Sequence, residues 1–316
     1  MKKYLFQSKA AYKANLHCHT NISDGTHTPE EIKAMYTAKG YSIVAFTDHH
    51  KLVSHQHLSD DNFLAISACE MDLNQPAQNG DRSITPTYHI NLFATRSSMV
   101  TTPPLPTMDY HDTHAINQYI ADRTAEGFLV SYNHPLWSLQ TYEEYSKLKG
   151  LFGVEIYNHG CQVGTWDGYS PHVYDEMLRQ VHNQGGNFYC LSTDDNHNWA
   201  PVANQKNQGL DSFGGFLYVN SKSLKYDDVM DALKKGDFHS SQGPKIDEIS
   251  LDGNTLTVKC SPAQSVVVYT TGRKCYQMNG DSLLEASFEL AELKGYIRVM
   301  CRDKNNNDAN SNAYWL

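Results

Sequence analysis

No stretch of this chain approaches the ~20 consecutive apolar residues that a membrane-crossing helix needs. The opening Met1-Lys2-Lys3-Tyr4-Leu5-Phe6-Gln7 also lacks the apolar centre of a secretory signal. Positive charge is scarce: 26 Lys and Arg face 35 Asp and Glu, for a net charge of −9. That balance argues against an extended nucleic-acid surface or an anionic membrane partner. A nucleotide or the end of a short oligonucleotide stays compatible, provided metal ions supply the positive charge. Cysteine pairing is absent too. The seven cysteines (Cys18, Cys69, Cys161, Cys190, Cys260, Cys275 and Cys301) are odd in number and form no Cys-x-x-Cys, which points to a reducing, cytoplasmic setting. Cys18 and Cys69 adjoin candidate ligands but read as small apolar packing residues. There is no Gly-rich phosphate loop before a helix and no Gly-x-Ser-x-Gly elbow, so neither a P-loop enzyme nor a serine hydrolase is indicated.

What is present is enough for a sizeable core. The chain has 316 residues, 40% of them hydrophobic, which suits one large domain and a small one. Up to about residue 243, short apolar runs alternate with amphipathic stretches. A first strand is expected to end over Leu16–Thr20, and others to lie at Ser42–Thr47, Phe63–Ala68, Tyr88–Phe93, Phe128–Asn133, Gly153–Tyr157, Asn187–Ser192 and Phe213–Val219. Helices are expected from Thr28-Pro29-Glu30-Glu31 to Gly40 and over about 112–126, 171–184 and 226–235. Such alternation indicates an α/β fold built on a parallel sheet or barrel. From residue 244 to 316 the pattern becomes short alternating runs with Asp252-Gly253-Asn254 and Asn279-Gly280-Asp281 as turns, which predicts a small β-sandwich of immunoglobulin-like type. The boundary therefore falls between residues 243 and 244.

Histidines and carboxylates gather at the predicted strand ends. His17 and His19 close the first strand, where an i, i+2 pair faces one side. Asp24 lies in the loop after it, His49 follows the second strand, and Glu70 follows the third. His134 ends the strand through Tyr132, and Asp194-Asp195-Asn196-His197 ends the one through Leu191. In α/β folds chemistry collects at the carboxyl ends of strands. His89 begins its strand instead; the connection from Glu70 lacks a helix, so an antiparallel strand would bring His89 to the same face.

With these pieces (His-x-His, Ser23-Asp24-Gly25, Thr47-Asp48-His49, Glu70, His89, Asn133-His134-Pro135 and Asp195-x-His197) the chain resembles the PHP (polymerase and histidinol phosphatase) family of metal-dependent phosphoesterases. The resemblance implies a distorted (β/α)7 barrel with two or three divalent metals. One would take His17, His19, Glu70 and Asp195; a second would share Glu70 and add His89 and His134; a third would take Asp24, His49 and His197. Of the paired acids, the Asp-x-His spacing favours Asp195 as ligand and leaves Asp194 to orient. Imidazole and carboxylate without thiolate suit Mn, Fe or Zn. A hydroxide bridging two ions would attack phosphorus, with Glu70 and Asp195 as the catalytic carboxylates, since metal binding lowers the pKa of water towards ~7.

Among other residues, His159 is the candidate for meeting substrate or protonating the leaving group, Asn158 for orienting an anion, and His50 for hydrogen-bonding a ligand. Glu155 reads as a buried structural acid, and Trp166-Asp167-Gly168-Tyr169 as aromatic loop packing. The expected activity is hydrolysis of a small phosphorylated metabolite or nucleotide. The alternatives are amidohydrolase-like attack on a carbon centre and a non-catalytic metal-binding scaffold.

Overall fold

Thr28 starts the first helix as its sequence requires. Its hydroxyl accepts the Glu31 N–H at 3.2 Å, the Glu31 carboxylate accepts the Thr28 N–H at 2.8 Å, and Pro29 occupies the first turn. The computed structural model describes residues 2–77, 80–181, 187–199, 210–291 and 294–316. Its elements run β1 (Lys3–Gln7), β2 (Ala11–Asn15), α1 (Pro29–Ala38), β3 (Ile43–Phe46), β4 (Leu64–Asn74), β5 (Thr87–Ala94), α2 (Thr113–Glu126) and β6 (Phe128–Tyr132). Next come α3 (Tyr142–Tyr145), β7 (Gly153–Asn158), α4 (His159–Thr165), α5 (Pro171–Val181), β8 (Tyr189–Thr193), β9 (Phe216–Asn220), α6 (Tyr226–Lys235) and β10 (Phe238–Ser241). The chain closes with β11 (Ile246–Asp252), β12 (Thr255–Thr270), β13 (Cys275–Glu289), β14 (Tyr296–Arg302), β15 (Asp308–Ser311) and β16 (Tyr314–Trp315). The last residues of the helix expected over 171–184 lie outside the described residues.

This is a mixed α/β fold on one large sheet, in the order β1-β11-β12-β14-β15-β10-β9-β2-β3-β4-β5-β6-β7-β8. β2, β3 and β4 are parallel neighbours, as are β6, β7 and β8. β5 runs antiparallel to both β4 and β6, with Asp72 opposite His89 and Glu70 opposite Asn91. The start of β5 thus lies beside the exit of β4, as the helix-free connection suggested. The barrel expected from the resemblance is not closed by hydrogen-bonded ladders: among the described residues none joins β8 to β9. β8 nevertheless lies against β10, where the Ser240 hydroxyl donates to the Cys190 carbonyl at 2.6 Å. After β8 the chain bends back to the end of β2, with Asp195 N–H on the His17 carbonyl at 2.9 Å and His19 N–H on the Asn196 carbonyl at 3.0 Å.

The C-terminal strands differ from their sequence reading, β15 and β16 being additional to it. Thr255–Val258 and Ser265–Thr270 are halves of the single strand β12, broken in register between Lys259 and Ser265. Asn279-Gly280-Asp281 lies inside β13 rather than at a turn, because β13 follows β12 around the same bend. One half of β12 pairs with β11 and the other with β14, and residues of both halves fill one apolar cluster, including Ile249, Leu256, Val258, Val266, Val268 and Val299. β1 joins this part of the sheet through β11, placing Phe6 in that cluster. No helix among the described residues is long and apolar enough to cross a membrane.

Candidate metal centre

The loop after β2 is held by Asp48, whose carboxylate accepts the Thr20 N–H at 2.8 Å, the Thr20 hydroxyl at 2.8 Å and the Ser23 hydroxyl at 2.8 Å. Gly25 permits the tight return that follows: a Cβ there would lie 2.6 Å from the His19 carbonyl oxygen. This fold of the loop aims Asp24 at His49 and His197. Asp195 (φ +54°) and His134 (φ +25°) both sit in the left-handed region. For non-glycine residues that costs roughly 1–3 kcal/mol each and is concentrated at functional sites.

All nine expected ligands come together. Their donor atoms form three overlapping groups, each with atoms within 4.8 Å of one another: His17, His19, Glu70 and Asp195; Glu70, His89 and His134; and His19, Asp24, His49 and His197. The first two match the expected sets, and His19 joins the third. In the first group the Nε2 atoms of His17 and His19 face each other at 3.1 Å, with Asp195 Oδ1 at 3.1 and 3.0 Å and Glu70 Oε2 3.3 Å from both. Glu70 Oε1 reaches His89 Nδ1 at 3.0 Å and His134 Nε2 at 3.5 Å. Asp24 Oδ2 lies 3.5 Å from His197 Nε2 and 3.8 Å from His49 Nε2.

The donor set fits divalent cations. Buried His19 Nδ1, His49 Nδ1 and Asp195 Oδ1 have no hydrogen-bond partner, which buried polar atoms rarely tolerate. Burial opposes charge on His17, yet Asp195, Glu70 and Glu155 outweigh it and hold its pKa well above the ordinary value. His19, buried likewise, is carried up to about 9 by Asp195 and Glu70. Burial alone would raise Glu70 and Asp195; the surrounding histidines hold both well below the usual carboxylate range. Metal ions bound among these donors would compete with the protons that the carboxylates favour on His17 and His19.

Behind the donors lies a layer that fixes their orientation. Glu155 accepts from His17 Nδ1 at 2.7 Å, the Thr193 hydroxyl at 2.7 Å, the His134 N–H at 3.0 Å and Asn158 Nδ2 at 3.0 Å. With Nδ1–H given to Glu155, the His17 Nε2 lone pair points into the cluster. His197 Nδ1 is 3.0 Å from the Asp195 carbonyl, which turns Nε2 towards Asp24 in the same way. Asn133 donates to Glu70 at 2.8 Å, and Asn158 donates to Asp195 at 3.0 Å while capping α4 through the Cys161 N–H.

Other expected residues fall elsewhere. Asp194 orients no ligand: its carboxylate accepts the N–H groups of Phe213, Gly214 and Gly215 at 2.8–2.9 Å and the Tyr36 hydroxyl at 2.8 Å. Burial raises its pKa despite these donors. His159 is turned away from the cluster, with Nδ1 2.8 Å from the Tyr157 hydroxyl and Nε2 3.0 Å from the Leu210 carbonyl, so both ring nitrogens are engaged. Asn158 is committed to Asp195 and Glu155 rather than open to an anion. His50 pairs with Asp72, and its N–H, not its ring, bonds the Glu70 carbonyl at 2.8 Å.

The cluster floors a cavity of about 690 Å³ walled by α4 (Gly160, Cys161, Val163, Gly164 and Thr165) and by Trp137, Trp199 and Leu210. Trp137 meets His134 and His89 edge-on at 5.0 and 5.6 Å, and Trp199 lies 4.4 Å from the His197 ring with its indole N–H on the Asp24 carbonyl at 2.6 Å. Neither tryptophan was singled out from the sequence. The only signal was position, three residues after His134 and two after His197. Trp166, in the expected aromatic loop, is 84% exposed and does not line the cavity. Among the described residues no Lys or Arg lines it either.

Solved structures similar to this chain include three of low sequence identity. A two-domain protein from Bacteroides vulgatus, containing a predicted PHP-like metal-dependent phosphoesterase, is 14% identical with a TM-score of 0.46, over 99% of this chain and 98% of its own. A protein of Bifidobacterium adolescentis, provisionally described as a metal-dependent phosphoesterase, is 16% identical with a TM-score of 0.41, over 72% and 96%. An amidohydrolase from Chromobacterium violaceum with bound sulfate and no metal is 12% identical with a TM-score of 0.35, over 58% and 87%. No curated protein matches the chain. The PHP domain family itself matches residues 15–235, from Asn15 at the end of β2 through the end of α6, and the chain therefore belongs to that family.

Proposed function

We propose that the chain hydrolyses a phosphate ester of a small metabolite or nucleotide, using two or three divalent ions (Mn, Fe or Zn). The observation that carries this reading is the convergence of His, Asp and Glu side chains into three donor groups that share Glu70 and His19. In this reading His17, His19, Glu70 and Asp195 hold one ion, Glu70, His89 and His134 a second, and Asp24, His49 and His197 a third. Bound there, the ions supply Lewis acidity toward phosphoryl oxygens and bring the pKa of water towards ~7.

The chain's own residues do the rest. Glu155 keeps His17 in the tautomer whose Nε2 donates into the cluster, and Asn133 and Asn158 fix the Glu70 and Asp195 carboxylates. Trp137, Trp199, Val163 and Leu210 cover the organic part of the ester and keep bulk water from the phosphoryl group. With no cationic side chain among the described lining residues, the phosphoryl charge falls to the ions, which favours a substrate carrying few anionic groups. We further read residues 1–243 as the catalytic unit, a distorted barrel left open between β8 and β9. Residues 244–316 form an accessory sandwich that borrows β1.

Elemental analysis of the purified protein, joined to phosphate release from a panel of nucleotides and sugar phosphates, tests this reading. Release abolished by a chelator and restored by one of the three metals is expected. Hydrolysis of amides or lactones without phosphate release would replace it with carbon-centre chemistry.

A further inference from the structure

The cavity wall formed by α4 is tied to the C-terminal sheet. Immediately after α4 the chain doubles back along β7. The Asn158 N–H bonds the Gly168 carbonyl at 2.9 Å, the Ser170 N–H bonds the Ile156 carbonyl at 2.8 Å, and Tyr169 pairs with Tyr157 in an antiparallel bridge. Gly168 makes the close approach feasible, since a Cβ there would lie 2.2 Å from the Asn158 carbonyl oxygen. The Tyr169 hydroxyl then leaves the catalytic unit and donates to Asp308 of β15 at 2.6 Å. Asp308 is 1% exposed and is gripped from its other side by Arg302, through Nε and Nη2, both at 2.7 Å. A second tie follows within six residues: Asp175 of α5 accepts from Arg298 and from the Tyr296 hydroxyl at 2.9 Å, both on β14.

We propose that the C-terminal sheet, acting through Asp308 and Tyr169, positions the α4 wall over the ligand cluster. Asn158 is the point of transmission. It caps α4, holds the Asp195 carboxylate, and has its own N–H fixed by the loop that Tyr169 anchors. Tyr169 and Asp308 are positioning residues; neither lines the cavity. The proposal concerns geometry and does not depend on which bond the centre hydrolyses.

Hydrogen–deuterium exchange on the full chain tests it without an activity assay. In Tyr169→Phe and in Asp308→Ala, amides of His159–Ser170 should exchange roughly tenfold faster, the loss of about one buried hydrogen bond, while those of β3 keep their wild-type rates. Asp308→Asn retains an oxygen for the Tyr169 hydroxyl and should restore most of the protection. Val258→Ala, a core change in the C-terminal sheet away from the tie, should not single out α4. Wild-type exchange at α4 in both Tyr169→Phe and Asp308→Ala would overturn the proposal. So would an equal rise across the whole chain in Tyr169→Phe, because that is general destabilisation rather than positioning.

Discussion

The strand ends that face the cavity and the sheet beyond residue 244 handle buried groups in opposite ways. At the cavity, His17, His19, Glu70 and Asp195 are almost wholly inaccessible, and His19 Nδ1 and Asp195 Oδ1 have no hydrogen-bond partner. In the C-terminal sheet the buried charges Asp308 and Arg298 are each paired at hydrogen-bond distance, and the remaining interior is largely aliphatic. No histidine occurs after His239. Unsatisfied buried polarity costs stability, so it survives where another ligand completes it. The comparison sets a candidate metal centre in one region against a largely aliphatic packed interior in the other.

The harshest challenge to that contrast is Glu70→Ala. Glu70 touches donors of all three groups, so its loss should reduce bound metal and lower kcat/KM by about 10³-fold or more, several kcal/mol of transition-state stabilisation. His134→Ala should lower metal content and turnover together. Full metal occupancy and activity in Glu70→Ala, measured by elemental analysis and phosphate release, would end the metal-centre reading.

Next in size is Leu256→Ala in the scaffold. Leu256 is fully buried opposite Phe288 and Leu251, so truncation should destabilise by about 2–5 kcal/mol in denaturant unfolding. Metal stoichiometry of the folded protein should not change. A parallel loss of metal would show that the two regions are not separable in the way their interiors suggest.

Glu155→Gln sharpens the comparison within the site. Glu155 holds no donor group of its own in the reading above, yet it orients His17. Losing that orientation should weaken metal affinity by about 10–100-fold in competition with a chelator, with the fold intact. An effect as large as that of Glu70→Ala would instead make Glu155 a ligand, in line with its closeness to His17 and His134.

Most of the nine donors were legible because they are chemically distinctive residues in or just after an apolar run, whereas Asp24 comes from a loop and His89 from the start of β5. Even the antiparallel β5 followed from the missing helix between Glu70 and His89. What was not legible depends on backbone turns that no residue type announces. His159 follows β7 as expected, but α4 begins at it and swings the ring to Tyr157 and Leu210. Asp194 and Asp195 differ by one residue, and the positive φ of Asp195 sends their carboxylates to different places. Trp137 and Trp199 carry no pattern, so their part in the wall emerges only from the fold. β1 escaped notice since its partner, β11, lies over 240 residues away.

The smallest effect separates two histidines of one protein by environment alone. His17 is buried among carboxylates and its pKa is driven up; His239 is buried between the rings of Phe6 and Tyr218, at 5.5 and 5.2 Å, where β10 meets the C-terminal strands. Its Nε2 accepts the Ile246 N–H at 3.1 Å and its Nδ1 has no hydrogen-bond partner. Burial, reinforced by Lys245, pushes its pKa down to about 3 from 6.5. The unfolded chain therefore takes up a proton below pH 6.5 that the folded chain refuses, and stability falls as the pH drops from there towards 3. The loss is about 1.4 kcal/mol per pH unit at most, so roughly 1.4 kcal/mol has gone by pH ~5.5. His239→Gln keeps an acceptor for Ile246 and cannot titrate. Between pH ~7.5 and ~5.5 the wild type should lose about 1.4 kcal/mol more than the variant in urea unfolding. A difference that does not move with pH would mean that His239 takes its proton inside the folded protein, and that the seam it occupies is open to water rather than sealed like the scaffold beside it.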